Sequence, residues 1–246
     1  MLFGFDTITL AALSIALFGA AFVRGYSGFG FSAIFIAFAS LLTNPVPLVP
    51  VVFCCEILMT LVQARGIRGH IDWRRVMTMT AGAAVILPFS VWFILSTGET
   101  TARLVVSAIV LLMSLVLLTG WTIKRKIGAA GHAGIGMISG LFNAVGIGGL
   151  PVAAFMTAQP IAAATFRATM IVYLTCLDLI TMPMMWAGGA VTWETAKAAA
   201  FAFPILLVGV LLGGRQFLSA SPTTFRKFAV MLLLTLSVLG LVRVLL

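Results

Sequence analysis

The sequence predicts an all-α polytopic membrane protein of two inverted repeats. Each repeat is a broken or re-entrant helical hairpin followed by three transmembrane helices, a layout also countable as eight transmembrane segments. Three observations predict it. The 246 residues are 62% hydrophobic and only 9% charged, with mean hydropathy +1.20, against about 25% charged residues in a soluble domain. Apolar stretches long enough to span a bilayer recur along the chain. Two glycine-rich breaks, Arg24-Gly25-Tyr26-Ser27-Gly28-Phe29-Gly30-Phe31-Ser32 and Asn143-Ala144-Val145-Gly146-Ile147-Gly148-Gly149-Leu150-Pro151, interrupt that apolar sequence half a chain apart.

The elements follow in order. In the first half the apolar stretches are 7–23, 31–43, 46–64, 75–96 and 101–122. In the second they are 132–143, 149–158, 160–186, 193–213 and 223–245. Pro, Gly and charged residues separate them: Asn44-Pro45, the loop Arg65 to Arg75, Thr97-Gly98-Glu99, Lys124-Arg125-Lys126, Gln159-Pro160, Gly188-Gly189, and Ser219 to Pro222. None of these loops can hold an extramembrane domain. The chain therefore reads as one membrane domain, 1–246, with repeats at roughly 1–126 and 127–246. Each half opens on a glycine-broken segment, continues with a Pro-led helix (Pro45 or Pro160) and ends in two uninterrupted spans. Aligning the two prolines sets Gln63 opposite Asp178. No pattern of alternating strands suggests an outer-membrane barrel. Asp6 and the lack of Lys or Arg before Arg24 argue against a cleaved signal peptide.

Charge decides between topologies. If 7–43 and 132–158 are hairpins that return to their own side, each half crosses three times and the halves are inverted. Arg65, Arg68, Arg74, Arg75, Lys124, Arg125, Lys126, Arg215, Arg226 and Lys227 then face the cytoplasm, and only Arg103, Lys197 and Arg243 face out. This ten-to-three split obeys the positive-inside rule. Eight plain crossings give nine to four, so inversion is favoured by a small margin. The same placement explains the net charge of +9 without nucleic acid.

Unwound backbone at membrane depth survives only inside protein or along a cavity. Paired breaks in two halves point to the binding site of a secondary transporter. Arg24 opens the first break and Arg167 lies in the Pro160 helix, both flanked by apolar residues. A guanidinium offers a fixed fork of donors to carboxylate, sulfonate or phosphate oxygens. Helices starting after Gly30 and after Gly148-Gly149 add free N–H groups. The expected anion site therefore holds Arg24, Gly25, Ser27, Gly28, Gly30, Ser32, Asn143, Gly146, Gly148, Gly149 and Arg167. Glu56 and Asp178 are the only carboxylates deep within the apolar stretches, Glu194 being the second residue of 193–213. Either can carry a coupling proton, or balance Arg24 or Arg167 as a fixed ion pair. Gln63, Thr165, Thr169 and Tyr173 join Asn143 as polar contacts or inter-helix glue.

Other classes fare worse. Cys54, Cys55 and Cys176 form no C-x-x-C pair and have no neighbouring His, so no metal or cofactor is expected. Gly25-Tyr26-Ser27-Gly28 fails the nucleophile-elbow pattern at Phe29, and His70 and His132 fall in or beside basic loops. An enzyme is not expected. An anion channel, or a carrier of a non-sulfur carboxylate, is the alternative.

The segments Gly25-Tyr26-Ser27-Gly28-Phe29-Gly30-Phe31-Ser32 and Ser139-Gly140-Leu141-Phe142-Asn143-Ala144-Val145-Gly146-Ile147-Gly148-Gly149 resemble the sulfite-exporter TauE/SafE family. This is also called the toluene-sulfonate uptake permease family. The resemblance covers nearly the whole chain. It implies a bacterial inner-membrane carrier of sulfite, sulfoacetate or related organosulfonates, moved outward or inward. Gly25, Gly28 and Gly30, and Gly146, Gly148 and Gly149, fall on the family's two signatures, with Arg24 just before the first. The sequence departs from the commoner pattern where Gly28-Phe29-Gly30-Phe31 replaces a G-x-G-G-G run, and at Asn143-Ala144. The partners implied are a small anion and the lipid bilayer, with no nucleic acid; the sequence allows a homodimer.

Overall fold

The computed structural model describes residues 2–120, 122–123, 127–217, 234 and 238. Among these the helices are α1 (Thr7–Ser27), α2 (Phe31–Leu42), α3 (Val49–Ile67), α4 (Trp73–Leu95), α5 (Glu99–Leu118), α6 (Ala129–Asn143), α7 (Gly149–Thr157), α8 (Ala163–Ala187) and α9 (Trp193–Phe217). No strand occurs among the described residues. Six segments are long and apolar enough to cross a membrane: 7–27, 46–70, 73–95, 99–118, 163–187 and 193–216. The chain is a multi-pass, all-helical membrane protein. The expected span 223–245 and the basic residues Lys124, Arg125, Lys126, Arg226, Lys227 and Arg243 lie outside the described residues.

One boundary differs from expectation. The first break was expected to begin at Arg24, yet α1 stays helical through Arg24, Gly25 and Tyr26 to Ser27. A single glycine in an apolar helix is tolerated when a neighbouring helix packs against it. The chain leaves the helix only at Gly28, whose φ of +82° lets its N–H reach the Arg24 carbonyl at 2.8 Å. At 21 residues, α1 is also long enough to count as a span, where a shorter segment was expected. The α6–α7 pair, at 15 and 9 residues, matches the expected short hairpin.

Packing then fixes the architecture. The longest interfaces are α1 against α9 and α4 against α6. Both pairs run parallel. Phe3 meets Glu194 and Gly25 meets Val210; Arg75 meets His132, and Ser90 donates to the Leu141 carbonyl at 2.6 Å. Glycines set the closeness. A Cβ on Gly82 would strike the Ala133 carbonyl, one on Gly136 the Met79 carbonyl, and one on Gly213 the Phe22 carbonyl. Small residues allow this approach, since lipid supplies no hydrophobic force between helices.

Helices α3 and α8 run antiparallel through the centre. They meet where Thr60 Oγ1 lies 2.7 Å from Thr175 Oγ1, 115 residues apart. That separation equals the offset between Pro45 and Pro160. Towards one end, Ile67 packs with Ala168 and Ile171; towards the other, Glu56 lies beside Asp178. The α3–α9 and α4–α8 contacts complete the core.

Charges collect at the two ends. One end carries Asp6, Glu99 paired to Arg103 at 2.6 Å, and Glu194 paired to Lys197 at 2.8 Å. The other carries Arg65, Arg68, His70, Asp72, Arg74, Arg75 and Arg215. Trp73 is exposed at the second end, and Trp92, Trp186 and Trp193 near the first, where interfacial headgroups favour amphipathic rings. Between them the outer surface is apolar, with Ile15, Leu61 and Val85 exposed.

Candidate functional site

Two hairpins flank the α3–α8 crossing, the first reaching it through Arg24 and the second through Asn143. The tip of the first is the turn between α1 and α2. Gly28 and Gly30 adopt φ of +82° and +90°, a region open to glycine and costly for other residues. The Ser27 hydroxyl lies 2.8 Å from the Val23 carbonyl and receives the Phe29 N–H at 3.3 Å, so it serves the turn itself. Ser32 is buried in the first turn of α2. Phe29 stacks edge-on against Phe166 of α8, at 5.8 Å between centroids.

The second tip links α6 to α7. Asn143 ends α6 and donates from Nδ2 to Thr181 Oγ1 at 3.0 Å. Its carbonyl accepts the Gly146 N–H at 2.7 Å, and Ser139 Oγ donates to the Gly148 carbonyl at 2.6 Å. The second tip packs on the first hairpin midway along α2, where a Cβ on Gly146 would come within 3.1 Å of Ile36.

At the crossing sits Arg24, with none of its surface exposed. Its Nη1 lies 3.2 Å from Glu56 Oε1, and Nη2 donates to Thr60 Oγ1 at 3.1 Å. Arg24 Nε is buried without a hydrogen bond. Asp178 is equally buried, close to Glu56, Arg24 and Asn143, and neither of its oxygens makes a hydrogen bond at normal geometry. The Tyr173 hydroxyl is buried near Ser139 without a formed bond, and both amide atoms of Gln63 lack one too. Buried polar groups are normally satisfied. Orphan atoms of this kind, concentrated on α3 and α8, mark a place prepared for something other than packing.

The two expected arginines are thus in different situations. Arg24 is enclosed and paired with Glu56, the ion-pair arrangement weighed from the sequence. Arg167 is half-buried, and its Nη2 donates to the Gly25 carbonyl at 2.7 Å, bracing the first tip. Gly28 packs on the Arg167 backbone, at 2.9 Å from its carbonyl for an added Cβ.

Several glycines are committed to close packing. A Cβ on Gly25 would run into the Val210 backbone, and one on Gly148 would lie 2.7 Å from both Asn143 Oδ1 and the Ser139 carbonyl. Gly149 abuts Leu174 at 3.1 Å. Only Gly30 has ordinary room, its nearest neighbour being Val23 Cγ1 at 3.5 Å. The N-terminus of α7 offers fewer donors than its glycines suggest, because Leu150 N–H bonds Ile147 and Pro151 has none.

The remaining polar candidates scatter. Thr169 Oγ1 accepts the Asp72 N–H at 3.0 Å, away from the crossing. Thr165 is partly buried in the first turn of α8. His132 is buried at the basic end, where its Nε2 accepts from Arg75 Nε at 3.3 Å; His70 is exposed. Cys54, Cys55 and Cys176 are free thiols, and no metal-ligating cluster occurs among the described residues. Thr60, Thr175 and Thr181 were missed as site residues. The first two had a signal, for they stand the same 115 residues apart as the aligned prolines.

Comparison with curated proteins and with solved structures finds no match. A family model, described as Sulfite exporter TauE/SafE, matches residues 13–240. That match spans most of α1, the other five long apolar helices, both hairpin turns and the α3–α8 crossing. The chain belongs to the sulfite exporter TauE/SafE family of membrane transporters.

Proposed function

We propose that the chain is a secondary carrier of small sulfur-containing anions: sulfite, sulfoacetate or related organosulfonates. It works in the bacterial inner membrane by alternating access. The single observation that carries this reading is the enclosed Arg24, which the first hairpin brings to the α3–α8 crossing. An arginine at membrane mid-depth is expensive and points to function by default.

The two halves, roughly 1–126 and 127–246, are inverted repeats in this reading. Support comes from the matched interfaces α1–α9 and α4–α6, and from Thr60 meeting its counterpart Thr175 across an antiparallel pair. The α1–α2 and α6–α7 hairpins are re-entrant, each entering from its own side and returning to it. Arg24 supports this, since it lies three residues from the end of α1 yet meets Glu56 and Thr60 mid-way along 46–70. The basic end is cytoplasmic, as positive-inside requires.

Substrate oxygens are held by Arg24 and by N–H groups of the first turn of α2, with Arg167 guiding the anion from the cytoplasmic side. Rocking one repeat against the other exchanges access. A proton drives the cycle, or the membrane potential alone, worth about 2.3 kcal/mol per charge per 100 mV.

A thermal-shift panel of purified protein tests the ligand class. Sulfite, sulfoacetate, isethionate, taurine, acetate, phosphate and sulfate are compared. A ligand of the folded state stabilises by about 2.7 kcal/mol at a hundredfold excess over its Kd. The expected result is selective stabilisation by sulfite or an organosulfonate. Equal response to acetate, or none to any sulfur anion, would set the sulfur-anion reading aside.

A further inference from the structure

Arg24 is already occupied. Any anion that uses this guanidinium must first displace Glu56, whose carboxylate sits 3.2 Å away in a site closed to solvent. Exchange of one negative partner for another would leave an unpaired buried carboxylate, which is strongly unfavourable. We propose that Glu56 is a proton-operated gate on Arg24, so that one proton accompanies each anionic charge bound. The inference rests on the carrier reading above and adds the coupling step to it.

The surroundings of the pair support this division of roles. From α1 comes Arg24, from α3 Cys54 and Cys55, from α8 Asp178, Tyr173 and Cys176, and from α6 Asn143 and Ser139. Arg24 is the cation paired with Glu56; Arg167 of α8 stands near Arg24 and donates to the Gly25 carbonyl. The Arg24 charge is matched by Glu56, and Asp178 makes no ion pair among the described residues. Asp178 takes the role of the neutral acid, lying close to both Glu56 and Asn143 with no hydrogen bond of normal geometry on either oxygen.

The step balances. In the empty site Arg24 is positive, Glu56 negative and Asp178 neutral. A proton from water forms an O–H bond on Glu56 Oε1, and Nη1 of Arg24 passes from Glu56 to an anion oxygen. The loaded site then holds Arg24, one anionic charge and two neutral acids. On the far side the anion leaves, Glu56 returns its proton to water, and the ion pair re-forms. The cluster carries no net charge in either state, which a low-dielectric interior demands.

The test uses isethionate, a monoanion whose charge is constant near neutral pH. Full-length protein is reconstituted in vesicles clamped at zero potential, with labelled isethionate outside and a pH dye inside. Wild type is expected to move about one proton per isethionate, and Glu56→Gln fewer than one in five. Asp178→Asn, which keeps the neutral state, is expected to hold a ratio near one at whatever rate remains. Detergent binding gives a second readout that needs no turnover. The wild-type Kd should rise with pH, about tenfold per unit where one proton is taken up with each anion, and Glu56→Gln should show no slope. If Glu56→Gln does not fold, the wild-type ratio and slope decide. Isethionate moving without protons, or with sodium instead, overturns the gate and leaves the carrier intact. So does the reverse pattern, with Asp178→Asn uncoupled and Glu56→Gln coupled. Failure of isethionate, sulfoacetate and sulfite all to move removes the carrier reading and the gate together.

Discussion

Replacing Arg24 with leucine is expected to abolish transport and to destabilise the protein by about 3–5 kcal/mol. Removing one partner of a buried ion pair leaves the other charged and unpaired. Here that partner is Glu56, enclosed between α1, α3 and α8 and ion-paired to Arg24. Thr60 also loses its donor. The second half of the expectation separates structure from function. Arg24→Leu with Glu56→Leu should recover most of the lost stability, because both charges are then gone, while transport stays absent. Thermal unfolding in detergent reads the first effect and vesicle uptake the second. A double variant that regained transport would make the pair a purely structural element. A single variant as stable as wild type would mean that Glu56 finds another partner.

A matched pair on α6 carries the second large effect. Gly136→Ala should destabilise by about 1–3 kcal/mol through overpacking, because its Cβ would land on the Met79 carbonyl of α4. Backbone cannot rotate aside as a side chain can, so the α4–α6 interface must part. Gly134, two residues earlier on the same helix, has nothing within 4 Å of an added Cβ. Gly134→Ala should therefore be neutral or stabilising, by up to about 1 kcal/mol from helix propensity. Gly213→Ala against the Phe22 carbonyl, compared with Gly19→Ala in open space, repeats the contrast at the α1–α9 interface. Detergent melting of the four variants checks this, and equal effects within either pair would refute the packing account.

These contrasts show where sequence reading succeeds and where it stops. Apolar length and Pro and Gly punctuation located the helices well: 132–143 and 149–158 were expected, and Ala129–Asn143 and Gly149–Thr157 are observed. The Pro45–Pro160 alignment contained the offset that brings Thr60 to Thr175. Hydropathy is a local property of the chain, and it is what the bilayer selects.

Partner choice is not local. Glu56 could balance either arginine on composition alone. Only the antiparallel crossing of α3 and α8, with α1 packed beside it, brings Glu56 to Arg24 and aims Arg167 at the Gly25 carbonyl. Glycines were ambiguous for the same reason. Gly25 and Gly148 looked like points of backbone approach to a ligand, yet Val210 and the Asn143–Ser139 pair fill those places here. A missing side chain reads alike in sequence, whether the space goes to a ligand or to a neighbouring helix.

The central claim, a saturable anion carrier with its site at Arg24, is tested most directly by counterflow. Vesicles containing purified protein are loaded with unlabelled sulfite or sulfoacetate and diluted into trace labelled anion at zero potential. The account predicts a transient overshoot of label that saturates with concentration and is absent from Arg24→Leu. Label that never exceeds its equilibrium level, alongside an unsaturating anion conductance, would identify a channel and contradict the account.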